Sequence, residues 1–134
     1  MTGAENVFKA LGDRNRLRIL TALLCHKELC ACQIHEWLGV TGATASKHLS
    51  LLVDNGLIES RKEGRWVHYR ASRNSTAIRP LINWIKKQIE LDDALQSDLK
   101  KLEPVTSCTP LELRKKQRKR VACCLLYTSD AADE

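Results

Sequence analysis

The chain has 134 residues, of which 43% are hydrophobic and 28% charged, a composition typical of one folded domain with a short appendage. No apolar run approaches the roughly 18 residues of a membrane span, and the N-terminus lacks a signal-peptide core, so we expect a cytoplasmic protein that does not bind membranes. The formal net charge of +6 favours an anionic partner, nucleic acid above all. The cysteines of a cytoplasmic protein are more often thiols or metal ligands than disulfides.

The C-terminal stretch CLLYTSDAADE, residues 124–134, resembles the translation of a sequencing-library adapter, and we treat it as an artefact that takes no part in the fold. Without its three acidic residues the formal net charge rises from +6 to +9. The basic bias of the chain therefore belongs to the protein itself.

The N-terminal region predicts two amphipathic helices. Residues 5–11 form the first, whose inward-facing side chains are Val7, Phe8 and Leu11. Asp13 is placed to cap the second helix, because its carboxylate can accept hydrogen bonds from free N–H groups two or three residues later. The buried stripe of that helix follows the i, i+3, i+7 spacing and comprises Leu17, Leu20 and Leu24.

The next stretch has the pattern of a helix-turn-helix. A third helix is predicted from about Lys27 to Leu38, and Gly39 suits its left-handed end. After a turn of about three residues, Thr41 caps a fourth helix over 42–55. Two helices joined by a short turn that contains glycine are typical of DNA-binding proteins, in which the second helix reads the major groove.

The start of this predicted recognition helix carries small residues that permit close approach to DNA and polar residues that can bind bases or phosphates. The candidate DNA contacts at this helix are Thr41, Gly42, Thr44, Ser46, Lys47 and His48. Without the hairpin that follows, the same pattern would also fit an ordinary helical hairpin with a polar face.

A basic β-hairpin follows directly. Strands over about 57–62 and 65–70 flank the pair Glu63-Gly64, which is a hairpin signal. A hairpin in this position is a wing, and its cations suit DNA phosphates or the minor groove. The candidate wing contacts are Arg61, Lys62, Arg65 and Arg70. The alternative is a hairpin edge that its charges keep soluble.

The C-terminal part predicts one long helix over 77–102 with an apolar stripe that approximates a heptad repeat. A helix this long exceeds what a small domain covers, so we expect it to pack against the same helix of a second subunit. The candidate dimerisation residues are Ile78, Leu81, Ile82, Ile85 and Ile89. The DNA-binding and dimerisation domain then spans 1–102, and 103–123, with the basic run LRKKQRKR, is predicted as a mobile tail.

Cys30 and Cys32 stand at the start of the predicted third helix. Residues two apart on a regular helix point about 200° away from each other, so one ion could bind both thiols only if the first turn were distorted. His35 is the nearest further donor, and Cys25, Cys108 and Cys123 are the other thiols. The alternative is that the two cysteines are small buried apolar residues.

Three stretches, FKALGDRNRLRIL, ELCACQI and TGATASKHLSLLVDNGLIESRKEGRWVHYR, resemble the ArsR-type (ArsR/SmtB) winged-helix repressors. This resemblance implies a mainly α fold with a small β-hairpin, a winged helix-turn-helix that dimerises through its terminal helices. It also implies a repressor of resistance operons that releases operator DNA on binding a metal or metalloid. Cys30 and Cys32 match the metal-binding signature of the family.

The third ligand stays open at the level of the sequence. Arsenic-responsive relatives often have a third cysteine at the position of His35, and arsenite or antimonite prefers three soft thiolates. The third thiol would then be Cys108 or Cys25. With His35 as a mixed ligand, cadmium, lead or zinc would be the inducer. The resemblance implies no cofactor for DNA binding itself.

Three further hypotheses compete with this interpretation. A repressor of the same fold could respond to oxidation or persulfidation of its thiols. A non-specific nucleic-acid-binding protein would depend on the basic run over 113–120. A thiol enzyme is disfavoured because the sequence has no CxxC in a βαβ pattern, no Ser/His/Asp set and no phosphate loop.

Overall fold

The computed structural model describes residues 2–72 and 76–117. The adapter-like segment, Cys123 and the end of the basic run lie outside the described residues. Within the described ranges, no helix is both long enough and apolar enough to cross a lipid bilayer.

Helices dominate the described chain, with a small antiparallel sheet between them. In chain order the elements are α1 (Thr2–Leu11), α2 (Arg14–Cys25), β1 (Leu29–Cys30), α3 (Ala31–Leu38), α4 (Gly42–Asp54), β2 (Ile58–Glu63), β3 (Trp66–Ala71), α5 (Arg79–Leu91), α6 (Asp93–Lys100) and α7 (Glu103–Thr106). A last helix covers 110–117 and is called the cover helix below.

The caps predicted from the sequence are present. The Asp13 carboxylate accepts hydrogen bonds from the backbone N–H groups of Asn15 and Arg16, at 2.9 and 3.1 Å, and so begins α2. The helix α1 differs from the prediction because it begins at Thr2 and leaves Phe8 65% exposed. The prediction that Phe8 faces inward is therefore wrong.

The helix-turn-helix is confirmed. Helix α3 ends at Gly39, whose φ of 73° is the left-handed conformation that glycine adopts without steric cost. The Thr41 hydroxyl then accepts a hydrogen bond from the Thr44 N–H at 3.2 Å and begins α4. The inner face of α4 is buried at Ala45, Leu49 and Leu52, and the opposite face is exposed.

The predicted third helix begins later than expected. Leu29 and Cys30 form the short strand β1, which pairs antiparallel with Tyr69 and His68 of β3. The helix α3 starts only at Ala31. The sequence prediction of a helix from Lys27 is wrong because a non-local pairing with the wing holds this segment in an extended conformation.

The wing forms as predicted, shifted by one residue. Strands β2 and β3 pair from Ile58 opposite Ala71 to Glu63 opposite Trp66, and the sheet order is β1-β3-β2. Gly64 has a φ of 61°, which suits the first central position of a tight hairpin turn. The central strand β3 therefore joins the wing to the segment that carries the thiols.

The long C-terminal helix is broken at Asp92. This residue has an extended conformation, and its carboxylate accepts hydrogen bonds from the N–H groups of Ala94 and Leu95, which begins α6. Ile85 and Ile89 are buried in the core of their own chain. The prediction that the whole stripe faces a second subunit is therefore wrong for these two. The half-buried Ile78, Leu81 and Ile82 remain predicted dimerisation residues.

Helix α6 is tied to the core by three side chains. Arg18 donates hydrogen bonds to both carboxylate oxygens of Asp98, at 2.9 and 3.0 Å, and its guanidinium lies 4.7 Å from the centre of the Trp37 ring. The Trp37 indole N–H donates to the Asp98 carbonyl at 3.0 Å. These contacts hold α6 against α2 and α3.

Residues 103–117 pack against the domain, whereas the sequence predicted a mobile tail over 103–123. Helix α7 contacts α3. In the cover helix, Leu113 and Gln117 lie one helical turn apart, and both are buried against the domain. The folded unit thus extends beyond residue 102, and 118–123 lie outside the described residues.

Candidate metal centre and DNA-binding surface

The two cysteines meet at the junction of β1 and α3. Cys30 is the N-cap of α3 with extended dihedral angles, and Cys32 is the second residue of the helix. Their Sγ atoms are 3.1 Å apart, and the residues are only 2% and 4% exposed. The prediction that a helical turn must be distorted before one ion can bind both is wrong, because Cys30 is not inside the helix.

The contact between the sulfurs sets the ionisation of the pair. A hydrogen bond donated by Cys32 stabilises the thiolate of Cys30 and lowers the pKa of Cys30 from its ordinary 9.0. The same contact, together with burial, raises the pKa of Cys32. The pair thus gives up its first proton more readily than an isolated cysteine and its second less readily. A thiolate is the form that binds metals.

The cover helix closes the site from one side. Leu113, 3% exposed, packs in one buried cluster with Cys30 and Cys32. The Gln117 amide donates to the carbonyl of Cys32 at 3.3 Å and to the carboxylate of Glu36 at 3.2 Å. At the N-terminal end of the cover helix, the Pro110 carbonyl lies 3.9 Å from the Cys32 thiol. The thiols are therefore shielded by a segment that the sequence analysis had placed outside the domain.

The structure separates the three candidates for a further ligand. Cys108 is half-buried and packs against the cluster of Cys30, Cys32 and Leu113. The His35 ring lies near the pair, with its Nε2 atom 3.0 Å from the Gln117 amide oxygen. Cys25 is exposed at the end of α2 and lines a different cavity. Among the described residues, no three His, Cys, Asp or Glu side chains converge into a ready metal site.

A cavity of about 460 Å³ lies between the thiols, α4 and the wing. Its walls come from α3, α4, the wing and the cover helix. The lining includes Cys30, Cys32, His35, Tyr69, Trp66 and Leu111. On the side of α4 the same cavity reaches Gly42 and Ser46, so the thiol site and the recognition helix share one space.

Most of the candidate contacts on α4 are exposed. Thr41, at the N-cap, and Gly42, Thr44, Ser46 and Lys47 in the helix are all exposed. His48 instead turns inward, with its Nδ1 atom 3.2 Å from an Arg16 guanidinium nitrogen and 3.9 Å from an Asp13 oxygen. We therefore assign His48 to the packing of α4 on α2.

The cations of the wing fall into two groups. Arg61 donates to both oxygens of Glu28, at 3.1 and 2.6 Å, and to Glu63 at 2.6 Å. Arg70 donates to Glu59 at 2.9 Å. Lys62 and Arg65 have no carboxylate within 4 Å among the described residues, and Arg65 lies over the Trp66 ring.

Sequence reasoning missed three side chains that shape the site. Leu113 and Gln117 follow an i, i+4 spacing that predicts a helix face, but the surrounding basic run masked this signal. Glu28, two residues before Cys30, ties the thiol segment to Arg61 of the wing. Nothing in the local sequence pairs Glu28 with Arg61, because the pairing follows from the registers of β1 and β2 with the central strand β3.

A short turn between α3 and α4, followed by a two-stranded wing, defines a winged helix-turn-helix DNA-binding protein. Residues 13–60 match the family model described as bacterial regulatory protein, arsR family. The arsenical resistance operon repressor of Escherichia coli K12 is 36% identical over 99 residues, which are 74% of this chain and 78% of that protein. The chain belongs to the ArsR family of bacterial regulatory proteins.

Other relatives and solved structures agree with this assignment. The cadmium resistance transcriptional regulatory protein CadC of Listeria innocua is 44% identical over 62 residues, which are 46% of this chain and 52% of that protein. Reduced HlyU from Vibrio cholerae has a TM-score of 0.56 at 31% identity and covers 65% of this chain and 88% of its own. The homodimeric winged helix-turn-helix domain of Mb0332 from Mycobacterium bovis has a TM-score of 0.56 at 29% identity. The match covers 69% of this chain and 84% of that domain.

Proposed function

We propose that this chain is a metalloid-responsive repressor that binds operator DNA as a homodimer and releases it when arsenite or antimonite binds Cys30 and Cys32. Relatives named for arsenical and cadmium resistance support this class of inducer. A structural neighbour described as homodimeric supports the dimer. The observation that carries the proposal is the 3.1 Å contact between the two Sγ atoms.

This contact suits one soft ion. A metal–thiolate bond is about 2.3 Å long, so two thiolates on one ion lie between about 3 and 4 Å apart. The two sulfurs need little movement to reach that geometry. For each thiol that binds As(OH)₃, one As–S bond forms, one As–O bond breaks, and the thiol proton leaves with the hydroxide as water.

The third ligand in this proposal is Cys108. Trivalent arsenic and antimony favour three soft thiolates, and Cys108 already packs against the pair. It has to move toward the two sulfurs when the ion binds, since no third donor converges on them among the described residues. His35 would complete a mixed site for cadmium, lead or zinc, which we rank below the metalloids. Cys25 is too exposed and too separate to take part.

The positions of the two cysteines explain how an ion could affect DNA binding. Cys30 lies in β1, which is paired with the wing strand β3. Cys32 lies in α3, which packs against the recognition helix α4. An ion that binds these two sulfurs and draws Cys108 toward them would act on the wing and on the recognition helix at once.

A DNA-release titration tests the proposal. The full chain is bound to a fluorescent duplex from the promoter of its own operon, under reducing, oxygen-free conditions, and arsenite is added. We expect release by the wild type and by Cys25→Ser, and no release by Cys30→Ser/Cys32→Ser, which still binds DNA. Failure of the wild type to bind the promoter, or release of the double variant at the wild-type arsenite concentration, would contradict the proposal.

The same sulfur contact also favours a second candidate, a repressor that responds to thiol oxidation or persulfidation. Two thiols this close can be oxidised together as well as bound by an ion. The titration above separates the two, because the redox candidate predicts no release without an oxidant. One metalloid ion bound per subunit under those conditions favours the metalloid.

A further inference from the structure

We propose that the cover helix is a third DNA-binding element, in which Arg114 and Lys115 contact phosphates beside the recognition helix. This inference rests on the proposed DNA-binding function and adds a surface to it. Neither residue belongs to the helix-turn-helix or to the wing. The partner is the backbone of double-stranded DNA, which cations bind independently of sequence.

One side of the cover helix is fixed to the domain. Leu113 and Gln117 are buried on that side, and Gln117 is held by hydrogen bonds to Cys32, Glu36 and His35. Arg114 and Lys115 follow Leu113 directly and are exposed. Because successive residues on a helix are about 100° apart, anchoring Leu113 determines the direction of the next two side chains.

The two cations lie beside the recognition helix and the wing. Arg114 and Lys115 line the same cavity as Gly42 and Ser46 of α4 and Arg65 of the wing. Three elements thus bring positive charge and small polar residues to one side of the molecule. Neither Arg114 nor Lys115 has a carboxylate within 4 Å among the described residues, so both charges are available to phosphates.

The cover helix leaves the recognition surface open. Gly42, Thr44, Ser46 and Lys47 remain exposed although the helix lies beside them. An autoinhibitory segment would bury these residues. The arrangement therefore favours an additional contact over a block.

Two of the four candidate cations of the wing are already compensated by carboxylates. Arg61 and Arg70 are both paired with carboxylates, which leaves Lys62 and Arg65 as its unpaired cations among the described residues. Arg114 and Lys115 restore two positive charges per subunit next to the wing.

The salt dependence of DNA binding tests this inference. Affinities of full-length wild type and Arg114→Gln/Lys115→Gln are measured for the promoter duplex between about 50 and 200 mM salt. Each lost phosphate contact lowers the slope of log affinity against log salt by about 0.9. A dimer that loses one contact per subunit falls by about 2, and one that loses both falls by about 4.

The matched control is Lys100→Gln/Lys101→Gln, which removes the same charge from exposed positions at the end of α6. We expect its slope to stay near the wild-type value. An unchanged slope in the Arg114/Lys115 variant, an equal fall in the control, or tighter binding by the variant would overturn the inference. If the wild type binds no promoter duplex, the proposed function fails first.

Discussion

Glu28 and Arg61 form a two-point ion pair, with distances of 3.1 and 2.6 Å, between the segment before the thiols and the wing. Glu63 holds the same guanidinium from the other side. The two carboxylates compensate the positive charge of Arg61, which the sequence had predicted to contact phosphate. The wing is thereby fixed to the thiol segment by a side chain and by backbone pairing.

This arrangement predicts different effects for neighbouring cations of the wing. Lys62→Gln should lower the salt slope of promoter binding by about 2 per dimer, since each lost phosphate contact accounts for about 0.9. Arg61→Gln should change the slope much less, because its charge is already compensated. Equal slopes for the two variants would contradict this assignment.

Removing the anchor of the cover helix should uncover the thiols. Leu113→Ala deletes a buried side chain, a change that costs about 2–5 kcal/mol in a packed core. Alkylation of Cys30 and Cys32, followed by peptide mass spectrometry, should then accelerate about tenfold or more, because 1.4 kcal/mol corresponds to a factor of ten. The control is Leu91→Ala, whose side chain is 72% exposed and lies outside the cover helix, and the exposed Cys25 provides the internal reference. Similar rates in both variants would mean that the cover helix does not shield the pair.

The sulfur contact has a consequence for the pH dependence of the free protein. Because Cys32 donates a hydrogen bond to the Cys30 thiolate, the pKa of Cys30 lies below 9.0, and a thiolate forms as the pH rises toward that value. Cys32→Ala removes the donor, so the pKa of Cys30 should rise and the thiolate absorbance should appear at higher pH. Cys32→Ser keeps a hydroxyl donor and should show a smaller shift. A titration curve that is the same in all three proteins would contradict this account.

The contacts of Asp98 predict a stability effect remote from the thiols. Asp98→Asn weakens two hydrogen bonds from Arg18, and bonds to charged groups contribute about 1.5–3 kcal/mol. The free energy of unfolding, measured with urea, should fall by about this amount. The exposed pair of Glu5 and Lys9 supplies the comparison, because Glu5→Gln should cost less than about 1 kcal/mol. Equal losses would mean that burial of the Arg18 pair has no effect.

The third ligand can be identified by substitution. Cys108→Ser should raise the arsenite concentration needed for DNA release by more than about tenfold. Even the loss of a residue that only hydrogen-bonds to a metal ligand lowers metal affinity about 10–100-fold. His35→Ala should leave sulfur-only coordination in X-ray absorption at the arsenic edge. A wild-type response in Cys108→Ser would remove this cysteine from the site.

Local signals in the sequence were sufficient for the helix-turn-helix. Asp13, Gly39 and Thr41 mark helix ends through interactions with residues two to four positions away, and the structure confirms all three. The pair Glu63-Gly64 likewise marked the turn of the wing to within one residue, since Gly64 and Arg65 form the turn. Features of this kind depend on a few neighbouring residues and can be predicted from them.

The errors arose where distant residues decide the structure. Leu29 and Cys30 are extended because β3 pairs with them, and β3 lies about forty residues further along the chain. The cover helix was missed because Leu113 and Gln117 are buried against α3 and the thiols, which are about eighty residues away in the sequence. The break at Asp92 is different: two consecutive aspartates before an apolar stretch are a capping signal, which the heptad pattern concealed.

Because β1 has only two residues, little free energy is needed to separate it from β3. Two residue pairs and the exposed Glu28–Arg61 ion pair hold this segment to the wing, and a backbone hydrogen bond contributes about 1 kcal/mol net. Binding of an ion by several thiolates can release about 10 kcal/mol or more. In the proposed response, the free energy of binding one ion would therefore exceed that of the β1–β3 pairing, and the pairing could form again after the ion is released.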